Sequence, residues 1–299
     1  MSAERTGAVA PGKISLKTLL QDRTWTGPLK TGAIGSDLVD FAFDGVAEAS
    51  SRFKPMVREL AYDCGELAIV TYLQAKHYGK PLVLLPFVVF GHFHHKSITC
   101  NTTRGELTPH TLAGRRVGVR AYSQTTGVWV RGILQHEYGV DLGKVTWVTF
   151  SDAHLAEYTD PKTCERAPEG KKLVPMLLAG EVDAAMLSGK PPEDPKLKPL
   201  IADADDAEMR WAERYGFTPV NHMFVVTRAL CETRPDVVRE IFALLVRARS
   251  AEPSPFPTGL DGNWKALELV GEYAAEQGLI PRPYSVDELF ADAAAVLKG

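Results

Sequence analysis

One segment, residues 115–134, constrains the fold of this chain more than any other. A short apolar strand at 117–119 runs into a turn built from Tyr122, Ser123, Gln124, Thr125 and Thr126. A helix follows, with apolar positions at Val128, Val130, Ile133 and Leu134. Hydroxyl and amide side chains at a strand-to-helix junction satisfy the exposed N–H groups of the first helical turn. Those same groups, with the positive end of the helix dipole, form a ready anion site where they face a cleft. A plain helix cap explains these residues equally well, so the surrounding sequence has to decide.

Apolar runs at 14–20, 39–43, 82–90, 96–100, 145–150, 182–187 and 220–227 predict further strands. Helical spacing predicts helices over 54–60, 68–79, 172–178, 235–249, 264–277 and 285–297, the last with Ser285 and Glu288 as a capping box. Strands alternating with helices argue for α/β layers with mostly parallel sheets. The proline-rich stretches at 190–206 and 252–259 read as surface loops. Breaks at 104–111 and 217–222 suggest that the chain leaves one lobe and later returns. Residues 13–105 plus 223–299 then form lobe 1, residues 106–222 form lobe 2, and residues 1–12 read as a flexible tail. Ligands in such folds sit in the crevice at the carboxyl ends of strands.

The chain has 299 residues and a formal net charge of −3, which gives no basic footprint for nucleic acid. Its apolar runs fall short of the ~18 residues that span a bilayer, so a membrane is not an expected partner either. The first residues lack an apolar signal core, which predicts a cytoplasmic protein. Cys64, Cys100, Cys164 and Cys231 are scattered without metal-ligand spacing and read as free thiols. Serine-nucleophile, phosphate-loop and dinucleotide motifs are absent from the sequence.

Several phrases then stand together. They are Gln21, Asp22, Arg23 and Thr24; Tyr62, Asp63, Cys64, Gly65, Glu66 and Leu67; and Phe93, His94 and His95. With them go Tyr122 and Thr125; Val128, Trp129, Val130, Arg131 and Gly132; and Pro219, Val220, Asn221 and His222. In these phrases, which extend over about residues 14–245, the chain resembles the 4,5-dihydroxyphthalate decarboxylase family. It departs from that pattern where members carry Arg-His-Ser in place of His94, His95 and Lys96, and methionine in place of Asn221. The resemblance implies an α/β fold of the two-lobed periplasmic-binding-protein type 2 kind, with two inter-lobe crossings. It also implies non-oxidative decarboxylation of a dihydroxylated aromatic dicarboxylate in aromatic-compound catabolism. The rival reading is a solute-binding protein for a small carboxylate, without chemistry. A third is an enzyme of similar fold acting on another aromatic acid or a pyrimidine precursor.

In 4,5-dihydroxyphthalate each hydroxyl lies para to one carboxyl. Deprotonating a hydroxyl pushes electron density to the carbon bearing that carboxyl, and a proton placed there lets carbon dioxide leave without a carbanion. Such a site needs cationic or N–H groups for the carboxylates, an acid near the ring carbon and a base near the phenol. Histidine is the first choice for proton transfer near neutral pH, and His95 and His222 are the candidates, placed on opposite sides of the crevice. Asp22 or Glu66 would orient a histidine or accept the phenolic proton. Arg23, Thr24, His94, Tyr122, Ser123, Gln124, Thr125, Thr126 and Asn221 are the candidate substrate-binding residues. No cofactor is expected. A divalent metal is the alternative, because His92 and His94 at alternate positions would share one face of a strand. A small aromatic carboxylate is the expected partner, and self-association into a homo-oligomer stays open.

Overall fold

The computed structural model describes residues 13–298, with 188, 190 and 251 excepted, so the predicted tail at 1–12 lies outside the described residues. The described strands fall into two sheets. The first contains β1 (Ile14–Leu19), β2 (Val39–Phe43), β3 (Cys64–Ala68), β4 (Leu82–Gly91) and, late in the chain, β11 (Val220–Thr227), in the order β2-β1-β3-β11-β4. The second contains β5 (Ile98–Asn101), β6 (Arg116–Val119), β7 (Thr146–Thr149), β8 (Cys164–Arg166), β9 (Ala184–Met186) and β10 (Leu197–Pro199), in the order β10-β5-β9-β6-β7-β8.

Each sheet holds one strand that has just arrived from the other, and each arrival runs antiparallel to its neighbours. β5 is antiparallel to β9 and β10, and β11 is antiparallel to β3 and β4. The pairs β1–β2, β1–β3, β6–β7, β6–β9 and β7–β8 are parallel. This is the two-lobed, twice-crossed architecture expected, with both lobe boundaries corrected. Because β5 belongs to the second sheet, the chain first crosses at 92–97 rather than at 104–111. Because β11 begins at Val220, residues 220–222 belong to the first lobe. The two crossings pass side by side: Gly91 pairs with Val220, and a Cβ on Gly91 would meet the Pro219 carbonyl oxygen at 2.3 Å.

Helices cover both sheets. Pro235–Arg249 and Val286–Leu297 pack on the first sheet, and together with it they enclose a core around Leu16, Phe87, Phe224 and Ile241. Helix Thr125–Tyr138 follows β6 and packs against Ile69–His77 and Trp264–Glu276, so a second core runs from one lobe into the other. Trp129 is fully buried there, and its indole N–H donates to Val220 O at 2.9 Å. Arg131, also fully buried, donates to Tyr122 O and to Gln277 Oε1, with its guanidinium 3.8 Å from the Tyr122 ring centroid. It fastens the strand-to-helix turn to the end of helix Trp264–Glu276.

Several elements depart from the sequence reading, β3, β10 and helix Ala204–Tyr215 among them. β3 carries glycine and glutamate in a central position, where pairing on both edges overrides weak strand propensity. The stretch expected as loop at 190–206 contains β10 and leads into helix Ala204–Tyr215, which is polar overall with a narrow apolar face, anchored by Ala207 and Trp211.

Candidate functional site

The site begins with Glu66. It faces Phe224 across the β3–β11 ladder, and His222, two residues before Phe224, lies on the same face. That diagonal brings the His222 Nδ1 to 2.8 Å from Glu66 Oε2. The turn after β1 supplies the remaining partners: Arg23 donates to both carboxylate oxygens, at 2.9 and 3.0 Å, and Gln21 N donates to Oε1 at 2.5 Å. Glu66 is completely buried. Burial alone would raise its pKa, but the His222 and Arg23 contacts outweigh it and hold the carboxyl near 2. The carboxylate therefore stays charged, His222 donates its Nδ1–H to it, and Nε2 is left for chemistry.

Around this pair lies a crevice of about 300 Å³ between the two sheets. His222 is wedged between aromatic rings, with centroids 5.2 Å from Phe53 and 5.7 Å from Phe90. Both flanking helix starts open onto the crevice: Ala68 before helix Ile69–His77, and Gln124, Thr125 and Thr126 at helix Thr125–Tyr138. First-turn N–H groups and two dipole ends thus converge on one space. Thr125 Oγ1 accepts from Val70 N at 3.3 Å, so a hydroxyl of one lobe caps the helix of the other. Asn221 lines the same wall. Its Oδ1 accepts from His94 Nε2 at 3.0 Å, and its Nδ2 donates to Thr126 Oγ1 at 3.5 Å.

The opposite wall comes from strand ends of the second sheet. Arg120 follows β6 and His154 follows β7. His154 Nδ1 lies 2.7 Å from Thr71 Oγ1, and Nε2 is buried without a partner among the described residues. Burial first, and then the nearby charges of Arg120, Lys54, His222 and Arg58, push its pKa down to about 3, so it is neutral near pH 7. Arg120 is partly buried, and burial lowers its pKa, yet among the described residues its guanidinium has no hydrogen-bond or ion-pair partner.

The predicted residues divide accordingly. Glu66, His222, Arg23, Gln124, Thr125, Thr126 and Asn221 line or build the crevice. His95 does not. It packs on Trp211 and opens to a separate cavity of about 110 Å³ beside Glu137 and Arg210, because the short crossing turns it away from β11. Burial pulls its pKa down to about 4. Asp22 is 88% exposed and pairs with Lys30, so it orients no histidine. Thr24 faces solvent, while Ser123 and Tyr122 are buried behind the turn, Tyr122 under Arg131. His94 is likewise buried behind Asn221. Arg23, read as a carboxylate grip, spends both its terminal nitrogens on Glu66.

Two residues that line the crevice, Arg120 and His154, were missed. Their signal was present, since Arg120 directly follows one predicted strand and His154 lies four residues past the end of another, where such folds place ligands. His92, expected from the sequence only as a ligand in the metal alternative, also lines the crevice, with its ring centroid 4.2 Å from that of His94. Among the described residues, no three His, Cys, Asp or Glu side chains cluster to hold a metal ion.

Comparison with known proteins supplies the rest. No protein-family model matches the chain. Over 226 residues, 70% of this chain, it is 30% identical to the 4,5-dihydroxyphthalate decarboxylase of Comamonas testosteroni, and the match spans 66% of that enzyme, just under two thirds of its length. Over 211 residues, 67% of this chain, it is 29% identical to the 4,5-dihydroxyphthalate decarboxylase of Pseudomonas putida and covers 81% of it. Among solved structures it superposes on the periplasmic sulfonate-binding protein SsuA of Methylobacillus flagellatus with a TM-score of 0.52, at 10% identity, over 96% of this chain and 94% of that one. This last likeness is one of fold, and it shows the two-lobed periplasmic-binding-protein architecture that the crossings build. On that scaffold, over most of its own length, the chain is similar in sequence to the 4,5-dihydroxyphthalate decarboxylases of both organisms.

Proposed function

We propose that the protein decarboxylates a dihydroxylated aromatic dicarboxylate such as 4,5-dihydroxyphthalate, without a cofactor and in the cytoplasm. The observation that carries this reading is the Glu66–His222 pair, a buried carboxylate orienting an imidazole whose free nitrogen reaches a crevice with two helix starts. Glu66 orients His222, which in its protonated form delivers a proton from Nε2 to the ring carbon that bears the departing carboxylate. The C–C bond to that carboxylate breaks, its electron pair restores the aromatic ring, and carbon dioxide leaves. His154 on the facing wall is neutral near pH 7. We assign its unpartnered Nε2 a hydrogen bond to a substrate hydroxyl, and the phenolic proton leaves to solvent through the open crevice. The helix starts at Ala68 and Gln124 hold anionic oxygens through backbone N–H groups.

The test is incubation with 4,5-dihydroxyphthalate while carbon dioxide and the dihydroxybenzoate product are followed. Release of both supports the reading. Tight binding of aromatic carboxylates with no carbon dioxide from any dihydroxylated phthalate would leave the solute-binding reading in its place.

A further inference from the structure

We infer that Arg120 is the carboxylate anchor of the crevice and selects dicarboxylates by holding the carboxylate that the reaction retains. This rests on the decarboxylase reading for the word "retained", but the binding role stands on the geometry alone. Arg120 leaves the carboxyl end of β6 and lines the crevice opposite Glu66 and His222. Arg23, the other arginine of the lining, is neutralised by the bidentate bond to Glu66. Arg120 has no such partner among the described residues, and it is partly buried in a space that also holds a neutral His154. An arginine kept out of water without a counter-charge is an unfavourable arrangement that an anionic ligand relieves.

The chemistry then decides which carboxylate goes where. The departing group must become neutral carbon dioxide, so a strong cation on it would stabilise the ground state more than the transition state. It belongs against the apolar Phe53 and Phe90 rings, with the ring carbon that bears it, rather than its oxygens, turned to His222 Nε2. The retained carboxylate keeps its charge throughout and gains from a fixed guanidinium. Arg120 therefore acts in uniform binding and in orientation, and its loss shows mainly in KM.

The experiment compares wild type, Arg120→Gln and Arg120→Lys. Calorimetry with phthalate, which lacks the hydroxyls and cannot react by this route, reads the anchor directly. Loss of a charge-assisted pair should weaken phthalate by about 10- to 100-fold in Arg120→Gln, with partial recovery in Arg120→Lys. Turnover of 4,5-dihydroxyphthalate by Arg120→Gln should show KM raised by a similar factor and kcat changed far less. Because Arg120 makes no hydrogen bond or ion pair among the described residues, neither variant removes one, and an unchanged thermal unfolding curve checks that packing is kept. Unchanged phthalate affinity in Arg120→Gln, or a fall in kcat at constant KM, would overturn the assignment. The two ideas fail separately. Arg120-dependent phthalate binding without carbon dioxide release sinks the decarboxylase reading and leaves the anchor, whereas carbon dioxide release with Arg120-independent affinity does the reverse.

Discussion

Replacing Glu66 by Gln keeps the shape of the side chain and removes its charge. In the folded protein the carboxyl titrates near 2 against an ordinary value of 4.5. By linkage, that difference corresponds to about 3 kcal/mol of stability that depends on the ionised group. The folded-state pKa is the lower of the two, so the contribution is complete above pH 4.5 and is lost as the pH falls toward 2. Glu66→Gln should therefore be less stable than wild type by about 3 kcal/mol at pH 7. The amide also sets an NH₂ group against Arg23 and His222, both of which donate to this position, and that leaves Arg23 without its counter-charge. Urea unfolding of both proteins at pH 7, 4.5 and 3 measures the gap. It should be nearly constant over the first two and clearly narrower at pH 3. A gap under about 1 kcal/mol at pH 7, or one that does not shrink on acidification, would refute the reasoning that the pair is held by charge.

The remaining predictions concern the chemistry, the inter-lobe cap and the crossing. His222→Gln should lower turnover of 4,5-dihydroxyphthalate by ~10²–10⁴ while phthalate affinity changes little, since a general acid acts only in the transition state. Equal losses in both would point to a binding role instead. Thr125→Val removes the acceptor for Val70 N and one polar contact of the anion site, so it should cost ~1 kcal/mol in stability and weaken aromatic carboxylates by a similar amount. Calorimetry and urea unfolding read the two separately, and no change in either would exclude the hydroxyl from both jobs. Gly91→Ala places a methyl 2.3 Å from a backbone oxygen and 2.6 Å from the Phe256 ring, so it should destabilise by about 1–3 kcal/mol or more. A variant as stable as wild type would mean that the crossings are not tightly apposed.

The division between what the sequence disclosed and what it hid follows from the kind of information each feature carries. Strand β6, its hydroxyl turn and helix Thr125–Tyr138 were legible because periodicity and capping are local properties. The location of the first crossing was not. Thr108 and Pro109 make a real turn, a 3₁₀ turn at Pro109–Thr111, but turn chemistry does not say whether the chain changes sheet there. The true crossing is six residues long, and within it successive histidines go to different places. His92 reaches the crevice, His94 lies behind Asn221, and His95 passes under Trp211 into the second lobe. Residue type alone could not separate them. The rule that ligands gather at the carboxyl ends of strands would have done better, since it points to Arg120 and His154. The idea of two histidines facing each other from different lobes survives with His154 in place of His95.

The pairing of Arg23 with Glu66 also changes how charge is distributed in the crevice. An arginine and a carboxylate joined through two bonds cancel to first order, so the first-lobe wall presents an oriented imidazole rather than a positive field. The attraction for an anion comes from the helix starts at Ala68 and Gln124 and from Arg120, the last two carried by the second lobe. On the proposed reading, an aromatic dicarboxylate would place its retained carboxylate at Arg120 and the ring carbon bearing the neighbouring carboxylate within reach of His222. Had Arg23 been free, as its place in a polar turn suggested, the two walls would have competed for the same carboxylates and the ring carbon would have had no fixed position beside the acid. Engaging Arg23 on Glu66 removes that competition, lowers the Glu66 pKa and fixes the imidazole. One ion pair thus contributes both to the stability of the first lobe and to the orientation of the His222 imidazole.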